Sequence, residues 1–136
     1  MAVEPKTTTE VPESTSSKTG TGLDENLAGA LAYLLGPLTG ILFFVLESEN
    51  EFVKFHSAQS IAFGVGLFFV YVAMTFVQFA LIFVPRVGGL FSLMFSFAYL
   101  VVGFVAFLGW LFLMYKAYSG DAYHMPVFGN VADRIA

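Results

Sequence analysis

Three long stretches of the chain contain no charged residue, and together they fill most of it: residues 27–46, 57–84 and 87–115. A bilayer core about 30 Å thick needs about 20 helical residues to cross it, and each stretch reaches that length. The pattern therefore predicts an all-α integral membrane protein with three transmembrane helices, multi-pass in the cell membrane. An odd number of crossings predicts that the two ends of the chain lie on opposite sides.

The composition agrees with this assignment and removes several function classes. Apolar residues make up 57% of the chain and charged residues 12%, against about 25% charged residues in an ordinary soluble domain. The absence of Cys excludes disulfides and thiolate chemistry. The net charge of −4, with 6 scattered basic residues, provides no cluster of Lys and Arg for nucleic acid.

The N-terminal segment, residues 1–22, is polar and rich in Thr, Ser, Glu, Pro and Lys. It cannot bury enough apolar surface to offset the entropy of ordering, so we expect a disordered tail. The first apolar run starts later and is long enough to stay in the membrane, which argues against a secretory signal peptide. Residues 23–136 are predicted to form one helical membrane domain.

The first apolar stretch carries a helix-breaking sequence at its middle, Gly36-Pro37 followed by Thr39 and Gly40. Pro37 has no N–H and its ring collides with the carbonyl four residues before it, so a kink or a short break is expected. In transporters, a broken helix at mid-membrane often builds the substrate site. The alternative is a packing kink, in which the Thr39 hydroxyl satisfies freed backbone groups and Gly36-x-x-x-Gly40 permits close helix contact.

Helix starts are predicted on both sides of this stretch. Asp24 or Asn26 can cap the first helix. In the first loop, Ser48-x-x-Glu51 has the spacing of a capping box, so a helix is expected to begin there. Continued to residue 84, that helix would be roughly 54 Å long, so its first turns are predicted to form an interfacial helix outside the hydrocarbon core.

The start of that helix carries the candidate binding residues. Four side chains with i, i+3, i+4, i+7 spacing share one face: Phe52, Phe55, His56 and Gln59. Lys54 lies off that face and can reach water. These five residues are the candidate contact for a lipid, a substrate or a protein partner. The alternative is that His56 and Gln59 hydrogen-bond to the C-terminal tail or to a neighbouring helix.

Small and polar residues follow one side of each remaining stretch. The second stretch carries Ser60, Gly64, Tyr71, Thr75 and Gln78, and the third carries Ser92, Ser96, Tyr99, Gly103, Ala106 and Trp110. Such residues face the protein interior in a membrane, so we expect the two helices to pack along them, with Gly64 and Gly103 at the contact. A water-filled path along the second stretch is the alternative.

The C-terminal segment, residues 116–136, is punctuated by Gly120 and Pro126 and is predicted to lie at the membrane interface. Three crossings would place it on the same side as the first loop, where we expect the two to dock. The chain has no spacing typical of a catalytic set or a metal site. We therefore expect no enzyme activity, no cofactor and no metal.

Four segments resemble the pattern of an uncharacterised family of small prokaryotic membrane proteins: residues 31–34 (LAYL), 38–41 (LTGI), 52–60 (FVKFHSAQS) and 126–130 (PVFGN). That family is related to the twenty-kilodalton subunit of the chloroplast Tic import complex. The resemblance covers about residues 23–136. It implies a helical membrane protein without an established enzyme activity, and a distant link to protein import.

Two function classes remain open from the sequence. The first is a transport or protein-translocation component, which the break at Pro37 and the polar face of the second stretch favour. The second is a structural or regulatory membrane protein that does not transport and that binds a partner through the first loop and the C-terminal tail. The absence of charged residues within the stretches favours this second class. Membrane lipid, a second copy of the chain and another membrane protein are the expected partners.

Overall fold

The computed structural model describes residues 19–136, which form five α-helices. In chain order these are α1 (Glu25–Leu34), α2 (Pro37–Leu46), α3 (Glu51–Ile82), α4 (Gly88–Tyr118) and α5 (Phe128–Ile135). The described part of the chain contains no β-strand, which confirms the all-α class. The disorder predicted for residues 1–18 concerns a segment outside the described residues.

Helices α3 and α4 are long and apolar enough to cross a membrane. They have 32 and 31 residues, so each is more than about 45 Å long and can cross the thinner hydrocarbon core with a tilt. Their most apolar windows contain almost no buried residues, as expected of surfaces that face lipid. They correspond to the second and third predicted stretches, and the predicted interfacial helix is the first part of α3, which continues without a break.

The first predicted transmembrane stretch is not one helix. It is divided at Leu35 and Gly36 into α1 and α2, which have 10 residues each. Gly36 adopts a φ of +64°, which favours glycine, and Pro37 begins α2 at a position where its missing N–H costs nothing. A helix of this length measures about 15 Å, half of the hydrocarbon core. The prediction of a third crossing is therefore not confirmed.

The chain turns back at this break, so that α1 and α2 form a helical hairpin, the N-terminal hairpin. The backbone N–H groups of Gly20 and Thr21, ahead of α1, donate to the carboxylate of Glu47, behind α2, at 2.7 and 2.9 Å. Asn50 Nδ2 also donates to the Glu25 carboxylate at 3.2 Å. The start of α1 and the end of α2 therefore lie side by side, and the disorder predicted through residue 22 does not extend to Gly20 and Thr21.

Polar side chains cap α1 and α3. Asp24 accepts from the Asn26 N–H at 2.8 Å, which is one of the two caps that the sequence predicts. The cap of α3 is Asn50, which accepts from the Val53 N–H at 3.0 Å. The capping box predicted at Ser48 is wrong, because the asparagine directly ahead of the first helical turn supplies the capping oxygen.

The structure divides into two regions along the length of α3 and α4. In the first, the bundle, the N-terminal hairpin and the C-terminal tail (residues 119–136, including α5) pack around residues 51–66 and 106–118. The second, the arm, is the remaining hairpin of α3 and α4, residues 67–105. Every buried residue of α3 lies between Val53 and Ala62, and α4 buries Leu113 and Ala117 in the bundle but only Gly88, at the turn, in the arm. The core of the described chain is therefore at one end of the two long helices.

Candidate functional site

Tyr33, His56 and Gln59 form a buried polar network at the centre of the bundle. None of the three is exposed to solvent. His56 Nε2 donates to the Asp121 carbonyl at 3.1 Å, which leaves Nδ1 of the neutral ring to accept from the Tyr33 hydroxyl at 2.8 Å. The network therefore joins α1 to α3, and α3 to the C-terminal tail.

Gln59 uses both ends of its amide group in this network. Its Nε2 donates to the Tyr33 hydroxyl oxygen at 2.8 Å and to the Tyr123 carbonyl at 3.0 Å. Its Oε1 accepts from the Met125 N–H at 2.8 Å. A buried amide is costly unless it is paired. The pairing here fixes the N-terminal hairpin and the C-terminal tail to the same two turns of α3.

Aromatic rings enclose His56. The ring centroids of Phe52, Phe55 and Tyr33 lie 4.6, 5.3 and 5.6 Å from that of His56, each in an edge-on arrangement. Phe55 is buried and Phe52 is half-buried. The aromatic candidate residues therefore pack within the bundle, around the polar network.

The five candidate contact residues come together, but most of them face inward. Lys54 is half-buried, with its ammonium 5.3 Å from the centre of the Phe44 ring. His56 and Gln59 have no free surface, and their hydrogen bonds run to the C-terminal tail and to α1. The sequence left two interpretations of His56 and Gln59, contact with an outside partner or hydrogen bonds within the protein. The structure contains the hydrogen bonds within the protein. An outside partner could reach these two side chains only after the tail had moved.

Thr39 pairs backbone groups that the break between α1 and α2 frees. Its Oγ1 donates to the Ala32 carbonyl and accepts from the Leu35 N–H, both at 3.1 Å. Irregular backbone at membrane depth is tolerated only where such groups find partners in the protein. This is the role that the packing-kink interpretation assigns to Thr39.

Two side chains from the long helices pair further carbonyls at the break. Ser60 Oγ, on α3, donates to the Gly36 carbonyl at 3.0 Å, and Trp110 Nε1, on α4, donates to the Tyr33 carbonyl at 2.6 Å. The tip of the hairpin is thus bound to both long helices. Neither contact was predicted, because Ser60 and Trp110 were both expected to line the contact between the second and third stretches.

Gly40 lets α2 approach α3 closely. A Cβ at Gly40 would lie 3.1 Å from the Ser57 carbonyl oxygen and 3.2 Å from the Ser60 side chain. Gly36, its partner in the G-x-x-x-G pattern, serves the turn instead, since its φ is positive and an added Cβ would meet nothing within 4 Å. In this G-x-x-x-G pattern, Gly40 therefore permits close helix packing and Gly36 permits the turn.

Gly64 and Gly103 serve different contacts. A Cβ at Gly64 would lie 2.5 Å from Pro37 Cδ, so this glycine accommodates the hairpin tip and not α4 as expected. A Cβ at Gly103 would lie 3.0 Å from the Tyr71 hydroxyl, across the expected contact of α3 with α4. The sequence predicted that Gly64 faces the third stretch. It faces Pro37 instead, because the first stretch folds back as a hairpin against α3.

The polar face predicted on the second stretch is paired with α4 in the arm. The Tyr71 hydroxyl donates to the Tyr99 carbonyl at 3.3 Å, and the Tyr99 hydroxyl donates to Thr75 Oγ1 at 3.2 Å. Gln78 Nε2 donates to the Ser92 carbonyl at 3.3 Å. These hydrogen bonds follow the two predicted lines of polar residues, so the two helices contact each other along those lines in the arm.

A cavity of about 550 Å³ lies below the hairpin tip, between α3 and α4. Its lining is apolar except for the Tyr71 hydroxyl and the Trp110 indole N–H. Both of these groups already donate to backbone carbonyls. The cavity is therefore lined almost entirely by apolar surface.

A polar cleft of about 370 Å³ opens at the outer face of the bundle, between the first loop and the C-terminal tail. Its lining residues are Ser48, Glu51, Lys54, Phe55, His124, Asp133 and Ala136. His124 Nε2 lies 3.0 Å from the Asp133 carboxylate, and the His124 ring lies 4.4 Å from that of Phe55. The pairing of His124 with Asp133 was not predicted from the sequence, because only the turn ahead of α5 brings the two side chains together. Within residues 19–136, no group of three or more His, Cys, Asp or Glu side chains could hold a metal ion.

Glu47 is the buried carboxylate of the first loop. Burial raises the pKa of its carboxyl, but hydrogen bonds from Thr21, Gly20 and Thr19 outweigh this and lower the pKa below its ordinary value. The charged form is therefore the one that holds the segment ahead of α1 beside the loop behind α2.

Comparisons with known proteins identify the family. Residues 24–132 match the model of the magnetosome magnetite crystal formation protein family. The chain belongs to that family. It is also 41% identical over 117 residues to the UPF0132 membrane protein MJ1443 of Methanocaldococcus jannaschii, a match that covers 86% of this chain and 93% of the relative.

Two further proteins similar to this chain are also named UPF0132 membrane proteins. A UPF0132 membrane protein of Archaeoglobus fulgidus is 42% identical over 112 residues, which cover 82% of this chain and 95% of the relative. The UPF0132 membrane protein MJ1527 of Methanocaldococcus jannaschii is 33% identical over 113 residues, which cover 83% and 71%. No solved structure matches the chain.

These matches make the protein a member of a helical membrane protein family. They agree with the small prokaryotic membrane proteins that the sequence resembles, since the relatives are archaeal membrane proteins. None of the matched names refers to the Tic import complex, so the distant link to protein import has no support from them.

Proposed function

We propose that the chain crosses the membrane twice, through α3 and α4, and that the N-terminal hairpin enters the membrane and leaves it on the same side. The hydrogen bonds from Gly20 and Thr21 to Glu47 support this topology, because they hold the chain ahead of α1 beside the loop ahead of α3. Insertion of the hairpin is supported by the exposed apolar residues on α2: Leu38, Ile41, Leu42, Val45 and Leu46. Both ends of residues 19–136 then lie on the bundle side.

The charges along the chain support one orientation of this topology. Lys54, Lys116 and Arg134 lie on the bundle side, and Lys18 directly precedes the first described residue there. Arg86 is the charged residue of the turn between α3 and α4. Loops rich in Lys and Arg stay in the cytoplasm. We therefore propose a multi-pass protein of the cell membrane with its bundle at the cytoplasmic face.

The function we propose is partner binding at that face, without transport and without catalysis. The single observation that carries it is the attachment of the C-terminal tail to α3 through His56 and Gln59, which creates a joint surface from two distant parts of the chain. The polar face of α3 supports the exclusion of transport, because Tyr71 and Gln78 donate hydrogen bonds to α4.

The polar cleft is the part of the joint surface that we propose for the partner. Glu51 and Asp133 carry negative charge, and Lys54 carries positive charge. A small cleft with both signs of charge suits the polar surface of a protein partner. The description of the family names magnetite crystal formation, and a partner of that process is one candidate for this chain.

Cysteine labelling tests the topology, since the chain has no natural Cys. Single cysteines at Gly20, Ser48, Ala122 and Val87 are placed in sealed membrane vesicles and treated with a membrane-impermeant thiol reagent. We expect the first three to react from one side and Val87→Cys from the other. Reaction of Gly20→Cys and Ser48→Cys from opposite sides would establish three crossings and overturn the proposed topology.

The same labelling tests the exclusion of transport. Tyr71→Cys and Gln78→Cys are expected to be protected from both sides, because their positions pack against α4. Labelling of both from water would favour the transport class instead.

Site-specific crosslinking tests partner binding. A photo-crosslinking residue at Ser48, at the cleft, is expected to give a defined adduct in native membranes, and the same residue at Phe76, in the arm, is not. The adduct should disappear in Gln59→Leu, which releases the tail, and persist in Gln78→Leu. An adduct that is independent of both changes would mean that the joint surface does not bind the partner.

A further inference from the structure

The two leaflets of a membrane would meet very different cross-sections of this protein. In the bundle, α1, α2 and the C-terminal tail pack against α3, and α1 also packs against α4. In the arm, α3 and α4 pair only with each other, through contacts such as Tyr71 with Tyr99 and Gln78 with Ser92. Five helices therefore lie at one end of the described chain and two at the other.

The inserted segments stop near the middle of the long helices. The hairpin tip reaches α3 at Gly64, against Pro37, and the tail reaches it at Gly66, against Phe128. Gly64 is about 20 Å from the start of a helix about 48 Å long. The α1 and α2 helices are each about 15 Å long, the thickness of one leaflet of the hydrocarbon core.

The two insertions flank α3 and do not stack on one side of it. The hairpin contacts positions 57, 60, 61 and 64 through Gly40 and Pro37. The tail contacts positions 55, 58 and 66 through Ala132, His124 and Phe128. These two sets lie on different faces of one helix. The protein is consequently broadened in two directions on the bundle side.

The outer surfaces of both insertions are suited to lipid. On α2, Leu38 and Val45 are 71% and 68% exposed. On and beside α5, Val127, Val131 and Ile135 are exposed at a spacing of four residues, while Asp133 and Arg134 occupy other positions of the helix. An apolar stripe beside a charged face is typical of a helix that lies in the membrane interface. Both insertions thus displace lipid from the bundle-side leaflet.

From this asymmetry we infer that the protein is a one-sided wedge and that its lipid partner is a curved membrane, convex on the bundle side. The inference rests on the proposed two-crossing topology. An upright helix about 10 Å across occupies about 80 Å² of the membrane plane, so the hairpin alone adds about 160 Å² to one leaflet. A leaflet that holds more inserted volume than its opposite is less strained where it is expanded, which is on the convex side of a curved bilayer. Binding of inserted amphipathic segments depends on curvature for the same reason.

Sorting between a flat membrane and a tube tests this inference on the full chain. The protein is reconstituted in both orientations into giant vesicles, as Ser48→Cys or as Val87→Cys, and an impermeant thiol dye is added outside. The dye then marks bundle-out molecules in the first variant and arm-out molecules in the second. A membrane tube is pulled outward, so that its outer leaflet is convex, and the ratio of protein dye to lipid dye is compared between tube and vesicle.

Opposite sorting of the two labelled populations is the expected result. The tube-to-vesicle ratio should rise above one for the bundle-out population and fall below one for the arm-out population. Equal ratios for the two populations, whether at one or shifted together, would overturn the wedge, as would the reverse order.

A third variant separates failure of the wedge from failure of the topology. Gly20→Cys is labelled in the same vesicles. If it faces the same side as Ser48→Cys but the two populations do not sort, the topology stands and the wedge is wrong. If the two cysteines face opposite sides, the topology is wrong and the wedge falls with it.

Discussion

The bundle and the arm are made from the same two long helices, but their polar groups are used differently. In the bundle, Gln59 is fully buried and joins three segments that are distant in the sequence. In the arm, Gln78 is half-buried and joins only α3 to α4. The two residues have the same side chain, on the same helix.

Gln59 and Gln78 differ because α3 packs against more segments of the chain in the bundle than in the arm. Where α3 is surrounded by the hairpin and the tail, a polar side chain has no alternative partner and must be paired inside the protein. Where α3 meets only α4, the same side chain is half-buried and its hydrogen bonds run to α4 alone. Stability should therefore depend on polar contacts in the bundle far more than in the arm.

The largest loss of stability is expected from the substitution of Gln59. Gln59→Leu removes the partners of Tyr33, Tyr123 and Met125 and should lower the free energy of unfolding by about 2–4 kcal/mol. Gln78→Leu, the matched control, should cost about 1 kcal/mol or less, as interhelical hydrogen bonds in membranes usually do. Unfolding in mixed micelles measures both values. Equal losses would remove the distinction between bundle and arm.

The next effect concerns the packing glycines. Gly64→Ala would press a methyl group against the rigid ring of Pro37 and should cost about 1–3 kcal/mol. Gly103→Ala meets only the hydroxyl at the end of the Tyr71 side chain, which can move, so its cost should stay below about 1 kcal/mol. The same unfolding measurement compares the two, and a larger loss for Gly103→Ala would contradict the assignment.

A smaller, pH-dependent effect is expected at Glu47. Because the folded state lowers the pKa of this carboxyl, its contribution to stability is fully present above the unfolded-state value of about 4.3 and is lost as the pH falls through the lower folded-state value. Wild type should exceed Glu47→Gln in thermal stability at neutral pH, and the gap should close in acid. Glu49→Gln, exposed in the same loop, serves as the control. A gap that does not change with pH would contradict the role given to the charge.

The smallest effect is expected in the arm. Thr75→Val removes the hydroxyl that donates to the Tyr71 carbonyl of the same helix and accepts from Tyr99. Thr75 is exposed, so the loss should stay within about 0.5 kcal/mol. Thermal unfolding in bicelles measures it, and a loss as large as that of Gln59→Leu would show that the arm has a core of its own.

The sequence by itself determined which parts of the chain form long apolar stretches and where the first of these stretches breaks. Hydropathy is a local property, so residues 57–84 and 87–115 are recognisable as long apolar helices without any knowledge of their partners. The break at Gly36 and Pro37 is also local, because a missing N–H and a positive φ act within a few residues. The candidate face of Phe52, Phe55, His56 and Gln59 followed from helical spacing in the same way.

Only the tertiary structure decided the direction of the chain after the break and the partners of the polar residues. A kinked crossing and a returning hairpin have the same apolar composition, and the choice between them depends on groups far apart in sequence. Glu47 binds the backbone of Gly20 and Thr21 across the hairpin, and Gln59 binds the tail at Tyr123 and Met125. Such pairings have no local signal, because each exists only once the segments that carry the two groups have already met.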